Sequence, residues 1–350
     1  MYLKVKVNRM KILIKSTGAA LVLMTFVSQA EEFIPSGSIG VTQTFYGNAG
    51  SYKTATSHPS LLFNYNFYPK WSMALQWDRT WNMYHYDGSE KQQDNRFSGP
   101  KGTLNYNYGV IDGSKVKWNS SLMVENEDDF DGTNQTYALM QTAFDFSEYI
   151  PKNDYIQATQ FAFSPMYIYG WNTQGPSGHV NTGILSLLTN WQLPANFSIT
   201  LNAYAFREWY DGNMLITDGT QSYSNANYYM FLAWLNYSNT LYQFNDNTSL
   251  SFNFVGGLDP YISSNKKAAW DPFIAGNQMS EWLSPTIMDG NYKSTYTLFA
   301  LPQLSLNYQY NKALNLSAFV QAKYSNQVWG STEKDWELQP QGGVGIRYAF

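Results

Sequence analysis

The chain has 350 residues, 22 Lys and Arg against 26 Asp and Glu, and no cysteine. That excludes disulfides, thiolate catalysis and Cys-ligated metals, and a net charge of −4 disfavours nucleic acid as a partner. Aromatic residues make up 17% and charged residues 14%, yet beyond the first 30 residues no run reaches the roughly 18 apolar residues of a membrane-spanning helix.

Residues 1–30 carry Lys4, Lys6, Arg9, Lys11 and Lys15 and no acid, then an apolar stretch from Ala19 to Val27, then Ser28-Gln29-Ala30. A basic start, a short apolar centre and a small-x-small end predict a secretory signal peptide cleaved after Ala30. The apolar stretch is about half the ~20 residues that a spanning helix needs. Residues 31–350 are then a single domain. It is more acidic than the whole, at net −9, because five of the 22 bases fall before residue 31.

Along 31–350 the dominant signal is alternation with period two. Strand-like segments fall at about 37–46, 60–68, 71–84, 101–109, 115–125, 135–147, 155–170, 182–193, 197–210, 226–242, 248–258, 295–310, 314–326 and 337–350. In 60–68, Leu61, Phe63, Tyr65 and Phe67 oppose Asn64 and Asn66; in 295–310, Leu304, Leu306, Tyr308 and Tyr310 oppose Gln303, Ser305, Asn307 and Gln309. Segments 135–147 and 155–170 are ambiguous, because Phe161, Phe163, Tyr167 and Tyr169 share a parity with Gln157 and Thr159. The count predicts about 14 strands, with 12 and 16 left open.

Connections alternate in length. Short turns such as Tyr68-Pro69-Lys70, Asn245-Asp246-Asn247 and Tyr310-Asn311-Lys312-Ala313 are interleaved with longer polar links at 47–59, 85–100, 126–134, 171–181, 211–225, 259–294 and 327–336. Short turns at one end and long loops at the other are the asymmetry of an all-β transmembrane antiparallel up-and-down β-barrel. The longest link, 259–294, is a candidate constriction or an extracellular flap. In the last segment Val344, Ile346, Tyr348 and Phe350 alternate with small or polar residues, as expected of a strand with lipid on one face and water on the other.

Few residues carry chemistry. The three histidines, at 58, 85 and 179, lie near loop ends, and no nucleophile stands beside a base and an orienting group; an enzyme is not expected. Glu127-x-Asp129-x-Asp131-Gly132 imitates the start of a calcium loop, but its twelfth position is Ala138, where a bidentate Glu is required. Neither a metal nor a cofactor is expected. With the apolar face towards lipid, Asp78, Lys117, Glu125, Lys323, Glu337 and Arg347 become candidate pore-lining residues, and Glu127, Asp128, Asp129 and Asp131 a candidate acidic loop at the pore mouth. That cluster and the net charge predict mild cation selectivity. Tyr204, Phe206, Trp234 and Phe319 also fall on the inner parity.

Three features carry a family resemblance: the strand count, the segment Pro69-Lys70-Trp71-Ser72-Met73-Ala74-Leu75 after a short turn, and the final Gly343-Val344-Gly345-x-x-Tyr348-x-Phe350. With them the chain resembles Gram-negative outer-membrane porins, of the monomeric 14-stranded porin G and oligosaccharide-channel type. The resemblance implies a water-filled channel for passive diffusion of small hydrophilic solutes, oligosaccharides among them. It also implies a location in the outer membrane among lipid and lipopolysaccharide, and insertion by the barrel assembly machinery with Tyr348 and Phe350 as its signal. The alternative is a surface adhesin or phage-receptor barrel with a blocked lumen.

Overall fold

The computed structural model describes residues 33–49, 56–81, 96–128, 134–175, 177–212, 215–217, 220–266, 294–326 and 336–350, and Pro35–Phe350 form one compact unit. The chain is all-β. Fourteen strands make a closed antiparallel barrel: β1 (Ser36–Tyr46), β2 (Thr56–Tyr68), β3 (Trp71–Trp81), β4 (Arg96–Val110), β5 (Lys117–Asp128), β6 (Asn134–Asp145), β7 (Gln157–Gln174), β8 (Gly178–Gln192), β9 (Phe197–Gly212), β12 (Asn225–Asn245), β13 (Thr248–Ser264), β14 (Ser294–Gln309), β15 (Leu314–Ser325) and β16 (Glu337–Ala349). Two short strands, β10 (Ile216–Thr217) and β11 (Ser222–Tyr223), pair with each other within the link after β9. Each barrel strand pairs with its neighbours in chain order, and β16 closes on β1. Twelve and sixteen strands are excluded.

Register sorts the side chains into two faces. One contains Ser164, Thr182, Glu208 and Ile168, none with any accessible surface; the other contains Val320, Leu338, Val344 and Ile346, exposed at 62%, 57%, 55% and 55%. The first face is the interior. The barrel is thus apolar outside, the reverse of a soluble protein. Outward positions on β16 run from Leu338 to Phe350, about 40 Å at ~3.3 Å per residue. At the usual tilt of about 40° this is about 30 Å of height, the thickness of a bilayer's hydrocarbon core.

An aromatic girdle rims the short-turn end. Rings follow one another from Phe350 to Phe63 (6.2 Å) and Tyr65 (6.1 Å), on through Phe67 and Trp71 to Tyr106, Tyr108, Trp118 (3.7 Å, stacked on Tyr108) and Phe144. Phe197, Tyr237 and Phe252 continue it on β9, β12 and β13. Such rings sit where an apolar body meets a wet boundary. The turns beneath are tight: Lys70 takes φ 68° in the two-residue link between β2 and β3, as right-handed strand twist demands there.

The seam between β1 and β16 ends in two backbone bonds, Gly37 N–H to the Phe350 carbonyl (2.8 Å) and Phe350 N–H to the Gly37 carbonyl (2.9 Å). A Cβ on Gly37 would lie 2.8 Å from Phe350 Cζ and 2.5 Å from the Asn64 carbonyl oxygen, so only glycine lets the ring lie there. Replacing Phe350 by alanine removes two ring contacts across the seam, worth together about 2 kcal/mol. The variant should show a smaller heat-modifiable fraction on a gel; unchanged mobility and yield would mean that the terminal ring is dispensable.

Candidate channel lumen

Every charged residue predicted to line a pore lies on the inner face by register. Asp78 pairs across β2 and β3 with Ser60, Glu125 with Lys101, Lys323 with Gln339, Glu337 with Ser325, and Arg347 with Asn315. Lys117 pairs with inward Asp145. Their surroundings differ from the expectation of free wall charges, because most are already engaged with neighbours.

Glu125, 7% exposed, lies 3.1 Å from the Lys101 ammonium. It belongs to β5 and to an ion pair. Glu127 accepts a hydrogen bond from Tyr137 (3.1 Å) and also lies within β5. Asp128 ends that strand, while Asp129 and Asp131 lie outside the described residues. Lys117 sits at the short-turn rim, donating to Glu148 (3.0 Å), with Lys152 3.5 Å from the same carboxylate. The hydrogen bond and charge of Lys117 hold the Glu148 carboxyl below its ordinary range, although so exposed a pair adds little stability. Arg347 donates to the Ser38 hydroxyl at 3.4 Å.

His58 lies 3.4 Å from Asp78, and Gln76 donates to the same carboxylate at 2.5 Å. Ser60 also bonds to Asp78. A nucleophilic triad needs the base between acid and hydroxyl; here the acid is central, so the trio does not activate the serine. His85 lies outside the described residues. His179 sits on the outer face, 3.5 Å from Asp211. Among the described residues no three His, Asp or Glu side chains gather as a metal site.

The feature that sequence reasoning missed is a chain of amides across five strands. Ser238 donates to Asn253 (2.7 Å), Asn253 to Gln303 (3.1 Å), Gln303 to Gln321 (2.6 Å), Gln321 to Gln341 (2.5 Å), Gln341 to Gln339 (3.1 Å) and Gln339 to the Gly47 carbonyl (3.2 Å). All six bonds point one way, so each polarises the next. The signal was present in the sequence as polar residues on the inner parity of 248–258, 295–310, 314–326 and 337–350, but only register makes them consecutive.

An adjoining sector, nearer the long links, is different. Tyr204, Phe206, Tyr228, Met230, Leu232 and Trp234 on β9 and β12 are inward and buried, joined by Ile168, Ile184, Ile262, Phe299 and Leu301. Phe206 stacks on Tyr228 at 5.0 Å. The interior aromatics anticipated from parity are therefore real for Tyr204, Phe206, Trp234 and Phe319, and the first three belong to an apolar sector near the long links. Within it Glu208, with no exposed surface, accepts from Tyr210 (2.6 Å), which lies 2.6 Å from the Tyr228 hydroxyl. Towards the short turns the same strands carry accessible Asn190, Asn236, Ser238 and Thr240. The interior is thus polar and open at the short-turn end and half apolar and filled above.

No family model matches the chain, and no curated protein matches its sequence. Solved structures with a similar course include the outer membrane channel DcaP of Acinetobacter baumannii, 9% identical over 91% of this chain and 96% of that one, TM-score 0.36. The NanC porin is 11% identical over 71% and 93%, TM-score 0.28. The toluene transporter TodX of Pseudomonas putida is 8% identical over 90% and 89%, TM-score 0.34. Likenesses this distant carry no argument about function.

Proposed function

We propose that the chain is an outer-membrane channel that passes small hydrophilic solutes, oligosaccharides among them, by passive diffusion. The observation that carries this reading is the inversion of the barrel: an exposed apolar band of bilayer height outside, an amide- and charge-lined wall inside. The solute path follows the polar wall formed by β14, β15, β16 and β1 to β4, past the amide chain, whose neutral donors and acceptors suit sugar hydroxyls as well as water. Short turns face the periplasm and long links the exterior, with insertion by the barrel assembly machinery. The filled apolar sector is the observation that favours the other reading, a surface receptor with a blocked lumen. Stepwise conductance of the purified protein in a planar bilayer supports the channel; a protein that inserts and folds without conducting would establish the receptor.

The inner wall also sets a selectivity. Asp78, Glu125, Glu127, Asp145 and Glu337 outnumber Lys101, Lys117, Lys323 and Arg347. A net negative wall concentrates cations. The reversal potential across a KCl gradient should have the sign of potassium preference. The triple variant Asp78→Asn, Glu127→Gln, Glu337→Gln should move it towards zero. A chloride-preferring parent would show that the wall bases lie at the narrowest point.

A further inference from the structure

The outer wall carries a groove that the channel reading does not use. Small residues on β9, Ala203 and Ala205, leave a cleft between larger neighbours. Its upper part, about 470 Å³, lies among Phe163, Leu185, Leu187, Tyr229, Phe231 and Tyr261. Its lower part, about 500 Å³, continues past Leu201 and Ile199 to Trp191 and Phe161. The two share Leu187, Ala203 and Phe231, so they form one furrow along β9. From Ile199 to Ala205 it spans about 20 Å of strand at ~3.3 Å per residue, about 15 Å of depth at a tilt of about 40°. Phe197 of the short-turn girdle is the next outward residue below Ile199, so the lower part of the furrow lies in the short-turn half of a ~30 Å hydrocarbon core and the part at Ala203 and Ala205 reaches the other half.

Directly above the furrow the chemistry changes. Arg207, the next outward residue after Ala205, is exposed and donates to Asn225 at 2.9 Å. Its guanidinium lies 5.4 Å from the Trp209 ring. Register places Gly183 and Asn227 beside it and Asn181 and Asn225 one step higher. On the β8 side the Trp209 ring lies over Gly183, where a Cβ would be 3.6 Å from it. Two outward positions above, Asp211 is paired with His179 at 3.5 Å. A cation with amide side chains around it, at the head of an apolar furrow, complements an anionic headgroup with an acyl chain beneath.

We infer that this furrow and Arg207 bind a phosphorylated glycolipid of the lipid A class, acyl chain along Ala203 and Ala205, phosphate on Arg207. The inference rests on the proposed orientation, which puts the long links and Arg207 at the outer leaflet. The guanidinium serves because it grips phosphate with a planar pair of donors.

The test is native mass spectrometry of the intact barrel, released from detergent micelles containing lipid A, dephosphorylated lipid A or phosphatidylglycerol, with folding of each variant checked by heat-modifiable mobility. The parent should retain lipid A selectively. Arg207→Gln should weaken retention about ten-fold, the worth of a charge-assisted contact. Ala205→Phe, which fills the furrow on a lipid-facing position, should lower retention while leaving the fold intact. Equal retention of phosphatidylglycerol and lipid A, or retention unchanged in both variants, overturns the inference. Loss of a multimer in Ala205→Phe with lipid retention unchanged overturns it too, and gives the furrow to a second copy. Conductance of the same preparations separates the two readings: lipid retention without conductance sinks the channel alone, conductance without retention sinks the lipid site alone.

Discussion

Replacing Gly257 with valine should destabilise the barrel by about 4 kcal/mol, the sum of backbone strain and overpacking. Gly257 sits in β13 at φ +147°, a conformation that side chains of L residues rarely adopt, and a Cβ there would lie 2.0 Å from the Ala233 carbonyl oxygen of β12. That oxygen belongs to a ladder pairing Trp234 with Gly257 on one side and Thr200 on the other. It cannot retreat without disturbing three strands. Gly102 is the control: a Cβ there meets only Leu75 Cδ2, at 3.5 Å, and Gly102→Ala should change stability by about 0.5 kcal/mol or less. Urea unfolding of both proteins in lipid vesicles measures the difference; near-equal midpoints would refute the steric account.

The second large effect concerns Lys101 and Glu125. Removing one member of a buried pair strands the other charge, at about 3–5 kcal/mol for a fully buried pair. Here the Lys101 side chain is 31% and the Glu125 side chain 9% exposed, so Lys101→Met should cost less, about 2 kcal/mol, because water still reaches part of the site. Adding Glu125→Gln should recover most of the loss, since no unpaired charge remains. A double-mutant cycle on unfolding midpoints reads this coupling. If the double variant is no more stable than Lys101→Met, the pair contributes nothing and Glu125 is solvated on its own. The reversal potential of Lys101→Met should also move further towards potassium preference, because the Glu125 charge is uncovered.

How much of this was legible beforehand depended on whether alternation stayed in phase. Where it did, as in Leu304 to Tyr308 and Leu314 to Val320, both strand and facing could be read from the residues. The ambiguity at 155–170 has a single cause. A bulge lies between Ala158 and Gln160, and the extra residue flips parity, so Gln157 points inward while Phe161, Phe163, Tyr167 and Tyr169 point outward. Links were overestimated for a related reason. β13 continues through Asp259-Pro260 to Ser264, although proline breaks the pattern, because an irregularity between Leu258 and Tyr261 absorbs it. β4 starts at Arg96, where Gly99 and Pro100 give no strand signal, held by pairing with Trp77 and Asp78. The supposed link 171–181 is nearly all strand, with β7 ending at Gln174 and β8 starting at Gly178. The signal segment 1–30 and most of 259–294 lie outside the described residues. The residues of the inner wall were legible from parity, their partners were not: nothing in the sequence sets Lys101 opposite Glu125 or lines up Gln303, Gln321 and Gln341.

The seam has a consequence for the order in which the barrel comes into being. It joins Ser38 to Ala349, roughly 300 residues apart, so it carries the largest loop-closure cost of any strand pair and is favoured to form after the hairpins between. Until then β1 and β16 each present an open row of amide and carbonyl groups. In hydrocarbon each such group costs several kcal/mol, more together than the rest of a half-built wall recovers. A partly assembled sheet therefore has no stable residence in the bilayer. It must be shielded along both edges or completed in one concerted passage, and a defect at Gly37 or Phe350 would surface as a failure of timing before it surfaced as a loss of stability.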